Sequence, residues 1–127
     1  MGKERYFEKI FKSETGVVVG VQYGAGELVC DGAPMVAPEE KTADFKTEKH
    51  VPVITPCGSG IKVVVGSTPH PMTEEHHIVW IEVVDGAYVY RKYLAIGEPA
   101  EAEFPIAYSE DLAAREYCNL HGLWRKS

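Results

Sequence analysis

Five short runs in the later part of the chain constrain the fold more than any other feature: VPVI (51–54), IKVVVGS (61–67), HIVWIEVV (77–84), AYVYRKYLA (87–95) and AEFPIAY (102–108). Each is rich in Val, Ile, Tyr or Phe, side chains that suit a pleated and partly buried surface, and most are bounded by Gly, Pro or Asp. Several short strands at that spacing predict an all-β fold, an antiparallel sandwich of immunoglobulin-like architecture, over an α/β fold. Helical periodicity is scarce. The one local helix candidate is SEDLAAREY (109–117), where Ser109 is placed to cap and Leu112, Ala113 and Glu116 fit helical spacing.

Ahead of these runs, GVVVGVQYGAGELV (16–29) reads as short strands around a Gly-rich turn, and CDGAPM adds another turn signal. Residues 37–48, APEEKTADFKTE, are polar and without clear periodicity, as a connector would be. The expected organisation is a small N-terminal β module at 1–37 and a β-sandwich at 38–127. With 127 residues, 45% of them hydrophobic, the chain can bury one core and carry a small appended module.

The formal charge of −6 argues against nucleic acid as a partner, because nonspecific affinity for it rests on clustered Lys and Arg. The same charge repels small anions, so an anionic substrate would need a local positive field at its site. No stretch approaches membrane-spanning length, and MGKERYFEKIF lacks the continuous apolar run of a secretory signal. A cytoplasmic protein with no membrane partner is the expectation. Cys30, Cys57 and Cys118 are an odd number without the spacing of a disulfide framework, which suits a reducing compartment and metal or redox roles.

The chemical information is concentrated in His50, HPMTEEHH (70–77) and CNLHG (118–122). Strand alternation in HIVWIEVV sets His77, Val79, Ile81 and Val83 on one face, and His76, Ile78, Trp80 and Glu82 on the other. The first set looks more like core, which favours His76 as a ligand; the pattern alone leaves His76 and His77 close to even. Cys118 and His121, three apart, can present a thiolate and an imidazole from one tight turn, with Gly122 relieving the crowding. Copper, zinc, iron and haem sites all use some version of that spacing. Pro71 biases His70 toward extended backbone at a loop edge. Taken singly, each histidine is more often solvated or hydrogen-bonded than metal-bound. Cys57 reads as a turn cysteine, Met35 and Met72 as packing residues, and Glu48 and Lys49 as surface charges.

Taken together, EKHVPVI (48–54), HPMTEEHHIVWIE (70–82) and REYCNLHGLW (115–124) closely resemble the superoxide reductases, the group that includes desulfoferrodoxin and neelaredoxin. GAGELVCDGAPM is similar to the end of the desulforedoxin-like domain of desulfoferrodoxin. The resemblance implies one iron held by four equatorial imidazoles, His50, His70, His76 and His121, with Cys118 as axial thiolate and a sixth position open. His77 stands where the motif supplies no ligand. Lys49 would attract superoxide at the open face, and Glu48 would bind the oxidised ion there and leave on reduction.

The family's activity is one-electron reduction of superoxide to hydrogen peroxide. It implies an external electron donor such as rubredoxin, and a homodimer. One departure stands out: KIFKSETG (9–16) holds no cysteine, and Cys30-Asp31 replaces a cysteine pair. One thiolate cannot build a four-sulfur site, so the module is expected to hold no metal, leaving one iron per chain. The competing readings are a cupredoxin-like electron-transfer protein and a zinc-binding or structural β domain. GLWRKS after His121 lacks the methionine that a copper site of that kind uses.

Overall fold

A computed structural model of the chain describes residues 9–13, 16–20, 26–42, 50–66 and 70–126. They fall into two compact units, a smaller one spanning Phe7–Glu39 and a larger one containing Glu40–Ser127. The division falls two residues beyond the 37/38 boundary expected from the connector's composition.

The smaller unit is made of two hairpins. β1 (Lys9–Lys12) pairs with β2 (Val17–Gly20), and β3 (Val29–Cys30) with β4 (Ala33–Pro34), both antiparallel. Asp31 and Gly32 link the second pair at φ 51° and 76°. A two-residue turn with left-handed backbone at both positions matches the twist of the flanking strands, and Asp-Gly is the dipeptide that tolerates it. Ile10 and Met35 are buried in this unit.

In the larger unit β6 (Pro52–Cys57), β7 (Gly60–Val65) and β10 (Glu101–Phe104) form a three-stranded sheet in the order β10-β7-β6. A five-stranded sheet runs β5-β12-β11-β8-β9, from β5 (Glu40–Lys41), β12 (Gly122–Lys126), β11 (Ala113–Cys118), β8 (Ile78–Asp85) and β9 (Tyr88–Tyr93). One apolar cluster takes Ile61, Val63, Val65, Ala102 and Phe104 from the first sheet and Ile78, Ile81, Val83, Ala114 and Cys118 from the second. Two sheets sharing one core is the sandwich that the strand runs predict. Among the described residues there is no helix, and none is long and apolar enough to cross a membrane.

Two local expectations are corrected. The helix expected at 109–117 is a turn followed by β11, whose six residues are all buried between β8 and β12. Ala, Arg and Glu favour a helix by less than about 1 kcal/mol each, and pairing along both edges of a central strand outweighs that preference. The alternation read from HIVWIEVV also breaks. Cys118 lies opposite Ile78 while the preceding residue, Tyr117, lies opposite Trp80, so Val79 is an extra residue in the ladder. This bulge moves Ile78, not Val79, into the core with Ile81 and Val83. The strand thereby bends where it meets the cysteine.

A chain of charges crosses the other face of the five-stranded sheet. Arg115 lies opposite Glu82, and Glu82 opposite Arg91, with ion-pair distances of 2.9 and 3.4 Å. Arg115 also lies opposite Arg125, a like-charge pair that would be destabilising alone. Glu40 relieves it, accepting from Arg115 at 2.8 Å and from Arg125 at 3.1 Å. Burial pushes the Glu40 carboxyl up, but the hydrogen bonds and charges of the two guanidinium groups outweigh it and hold the group below its ordinary value. A lowered folded-state pKa contributes stability above the unfolded value and loses it as pH falls through the folded one. Glu40→Gln should therefore cost about 2 kcal/mol at neutral pH, and its Tm should converge on that of the wild type in acid. A gap that stays constant down the acid limb would count against the ion pairs.

Candidate metal centre

Five side chains converge at the end of the sandwich where β11 turns into β12. His50 lies two residues before β6 and is fully buried; His70 is 7% exposed and enters from the segment before β8. Cys118, fully buried, ends β11 at the bulge, and His121 is half-buried on the turn into β12. Cys118 pairs with Gly122 to close that turn, and Gly122 adopts φ 83°, which a residue with a Cβ would adopt only under strain. His76 is half-buried just before β8.

The four rings form a closed cycle. Centroids of neighbours are 4.6 Å apart for His50 and His70, 4.6 Å for His70 and His76, 4.9 Å for His76 and His121, and 4.8 Å for His121 and His50. Each neighbour is turned steeply from the last, by 68° to 78°. Across the cycle, His50 and His76 are 6.2 Å apart. This is a square of imidazoles, edges inward.

The nitrogens point at a common centre. His50 Nε2 lies 2.9 Å from His70 Nε2 and 3.1 Å from His121 Nδ1. Two metal–nitrogen bonds of about 2.1 Å at right angles would put their nitrogens about 3.0 Å apart, so the plane fits a metal ion. The donor atoms of His50, His76, Cys118 and His121 all lie within 4.8 Å of one another. Cys118 Sγ is 3.9 Å from His70 Nε2 and 3.8 Å from His121 Nδ1, nearly equidistant from opposite corners of the square. Sulfur stands back from the roughly 3.1 Å that right-angle bonds would give, while remaining the single thiol that faces the four rings. Imidazole with thiolate is a donor set for a borderline or soft transition metal, not for calcium or magnesium.

Bonds outside the square fix its members. His70 Nδ1 is 2.8 Å from the Pro71 carbonyl, which requires the proton on Nδ1 and leaves Nε2 with its lone pair inward. Asn119, next to the cysteine, accepts from the His77 N–H at 2.9 Å, donates its own N–H to the His77 carbonyl at 3.1 Å and its side-chain amide to the Glu75 carbonyl at 3.0 Å. It ties the cysteine turn to the loop that carries His76. Thr73 and His76 exchange backbone hydrogen bonds of 2.9 and 3.2 Å, bending that loop back on itself. The ring of His77 points elsewhere, its Nδ1 2.9 Å from the Thr73 carbonyl. Trp124, fully buried, stacks on His50 at 4.7 Å and 14°, and its Nε1 donates to the His121 carbonyl at 3.2 Å.

The side chains of Asn119 and Trp124 were not among the candidates read from the sequence, although both lie inside REYCNLHGLW; an amide and an indole beside two ligand candidates were the available signal. Glu48 and Lys49 lie outside the described residues. Of the other cysteines, none forms a disulfide. Cys57 donates to Glu103 at 3.3 Å, and that carboxylate pushes its thiol up. In the smaller unit Cys30 packs so closely on Gly16 that a Cβ there would lie 3.0 Å from its sulfur.

Three comparisons bear on this geometry. The desulfoferrodoxin family model matches residues 42–127. A desulfoferrodoxin homolog of Methanothermobacter thermautotrophicus is 54% identical over 101 residues, covering 80% of this chain and 82% of its own, and the desulfoferrodoxin of Nitratidesulfovibrio vulgaris is 50% identical with 86% of each chain covered. The crystal structure of the superoxide reductase from Treponema pallidum superposes with a TM-score of 0.74 at 32% identity, over 94% of this chain and 98% of that one.

Proposed function

The chain belongs to the desulfoferrodoxin family, and on that premise we propose that it is a superoxide reductase working at a single iron bound by His50, His70, His76, His121 and Cys118. The observation that carries this reading is the square of four imidazoles with one thiol facing it. The reaction takes superoxide, one electron and two protons to hydrogen peroxide. Iron, when bound, supplies the electron.

The residues of the chain do the rest. Neutral imidazoles leave Cys118 as the one anionic donor, so the site gains little negative charge that would repel an anion. Lys49 would add a local positive field against the chain's net charge of −6, drawing superoxide in and ordering the water that delivers protons. Glu48, beside Lys49 in sequence, would be a carboxylate available to the oxidised site. Asn119, Trp124 and the Pro71 carbonyl hold the imidazoles and the cysteine turn in place, so that little rearrangement is needed as the charge changes.

Lys49→Ala should slow the reaction with superoxide roughly tenfold and flatten its salt dependence while leaving the iron bound. Stopped-flow rates over a range of ionic strength check this, and unchanged rates would remove Lys49 from the mechanism.

The smaller unit is proposed to hold no metal, having only Cys30 where four thiolates would be needed. Re-reduction then falls to an external rubredoxin-like donor, and a cytoplasmic homodimer is the form proposed. A cupredoxin-like electron carrier fits less well: such sites use two imidazoles, a thiolate and a weak axial methionine. Here four rings converge, and the Met72 thioether accepts from the Ile78 N–H at 3.4 Å. Metal analysis with visible spectra tests the reading. One iron per chain, with a thiolate charge-transfer band appearing on oxidation, is expected. Two irons would overturn the metal-free module, and copper or zinc in place of iron after reconstitution would overturn the function.

A further inference from the structure

β5 is only two residues long, yet both are engaged on opposite sides of the strand. It runs parallel to β12, with Glu40 opposite Leu123 and Lys41 opposite Trp124. Adjacent residues on a strand point to opposite faces. Glu40 is held from one side by Arg115 and Arg125, at 2.8 and 3.1 Å. Lys41 is thereby turned toward the metal centre, where its Nζ donates to the His121 carbonyl at 2.8 Å and lies 5.1 Å from the centroid of the Trp124 ring.

Those two contacts reach two corners of the imidazole square. The carbonyl belongs to His121 itself, and it also receives the Trp124 indole N–H at 3.2 Å. The Trp124 ring is stacked on His50. We propose that Lys41 is a positioning residue of the metal centre whose ammonium fixes the His121 turn and raises the reduction potential of the site. The inference rests on the superoxide reductase reading and deepens it.

The physical basis is electrostatic. Oxidation of a bound iron adds one positive charge to the site, and an ammonium close by disfavours that gain. The half-buried position of Lys41 screens it less than a fully solvated side chain would be screened. A hydrogen bond to the carbonyl of a ligand residue and a cation over an aromatic ring add to its hold on that place. The consequence is a preference for the reduced form, which is the form that reacts with superoxide.

The test compares Lys41→Met, which keeps the methylenes over Trp124 and removes the charge, with Lys41→Arg, which keeps the charge. Midpoint potentials of the iron-loaded proteins are measured by redox titration, and the Trp124 indole N–H resonance is followed in the metal-free proteins. The expected result is a potential shifted downward in Lys41→Met and restored in Lys41→Arg, with the indole resonance displaced in Lys41→Met before any metal is added. An unchanged potential in Lys41→Met, with iron bound, overturns the proposal. An equal downward shift in both variants also overturns it, since packing and not charge would then be responsible. A wild-type chain that takes up no iron would instead overturn the function proposed above.

Discussion

Cys118→Ser should abolish the visible charge-transfer band of the oxidised protein and cut superoxide reduction by roughly a hundredfold or more, a change of about 2.7 kcal/mol in barrier. The band expected of an oxidised iron site would be a sulfur-to-metal transition, and Cys118 is the thiol that faces the four rings, 3.8 Å from His121 Nδ1 and 3.9 Å from His70 Nε2. A serine hydroxyl is a neutral, harder donor and does not replace a thiolate at a borderline metal. The fold should survive. Cys118 lies in the apolar core, so the buried hydroxyl costs about 1–3 kcal/mol, less than the stability of an ordinary domain. His77→Ala is the matching control. Its ring is turned toward the Thr73 carbonyl, and iron content and spectrum should remain those of the wild type. Loss of iron in His77→Ala with iron retained in Cys118→Ser would reverse the ligand assignment.

Glu82→Ala should be strongly destabilising although it lies away from the metal centre, at about 3–5 kcal/mol by urea unfolding of the metal-free protein. Glu82 and Arg115 are 0% and 2% exposed and 2.9 Å apart, so removing the carboxylate strands a guanidinium in a place water does not reach. Glu40 still pairs with Arg115, which places the expected cost toward the lower end of that range. Replacing both members together, as Glu82→Met with Arg115→Leu, should recover much of the loss, because two desolvated charges are exchanged for apolar contact. A Glu82→Ala loss below about 1 kcal/mol would mean that the pair is solvated in practice.

The strands and the sandwich were legible because Val, Ile, Tyr and Phe in short runs between turn residues have few other uses. Where the reading failed, pairing between distant strands overrode a local preference. Leu112 through Glu116 have helical spacing in isolation, and only the presence of β8 and β12 on either side makes the segment a strand. The Val79 bulge is likewise a property of the pairing with Cys118 and Tyr117, and no pattern within HIVWIEVV announces it. At the centre, the histidines and the cysteine were visible by residue type and motif, whereas the groups that hold them were not. Lys41 reaches His121 across 80 positions of chain, and Asn119 reaches Glu75 across 44. Such contacts depend on tertiary structure, which periodicity and spacing do not record.

The choice between His76 and His77 shows the same limit from the other side. Alternation left the two nearly even because it assumed an unbroken strand. Both residues lie just before β8, on a loop bent back by Thr73, and the two rings diverge there: His76 turns into the square and His77 away from it.

The most direct test is the stoichiometry of a single turnover: the fully reduced, iron-loaded protein is mixed anaerobically with a known amount of superoxide, and hydrogen peroxide and molecular oxygen are both measured. A superoxide reductase yields one peroxide for each superoxide consumed, releases no oxygen and ends with its iron oxidised. One peroxide and one oxygen for every two superoxides, with the iron oxidation state unchanged, would contradict that assignment and make the chain a dismutase.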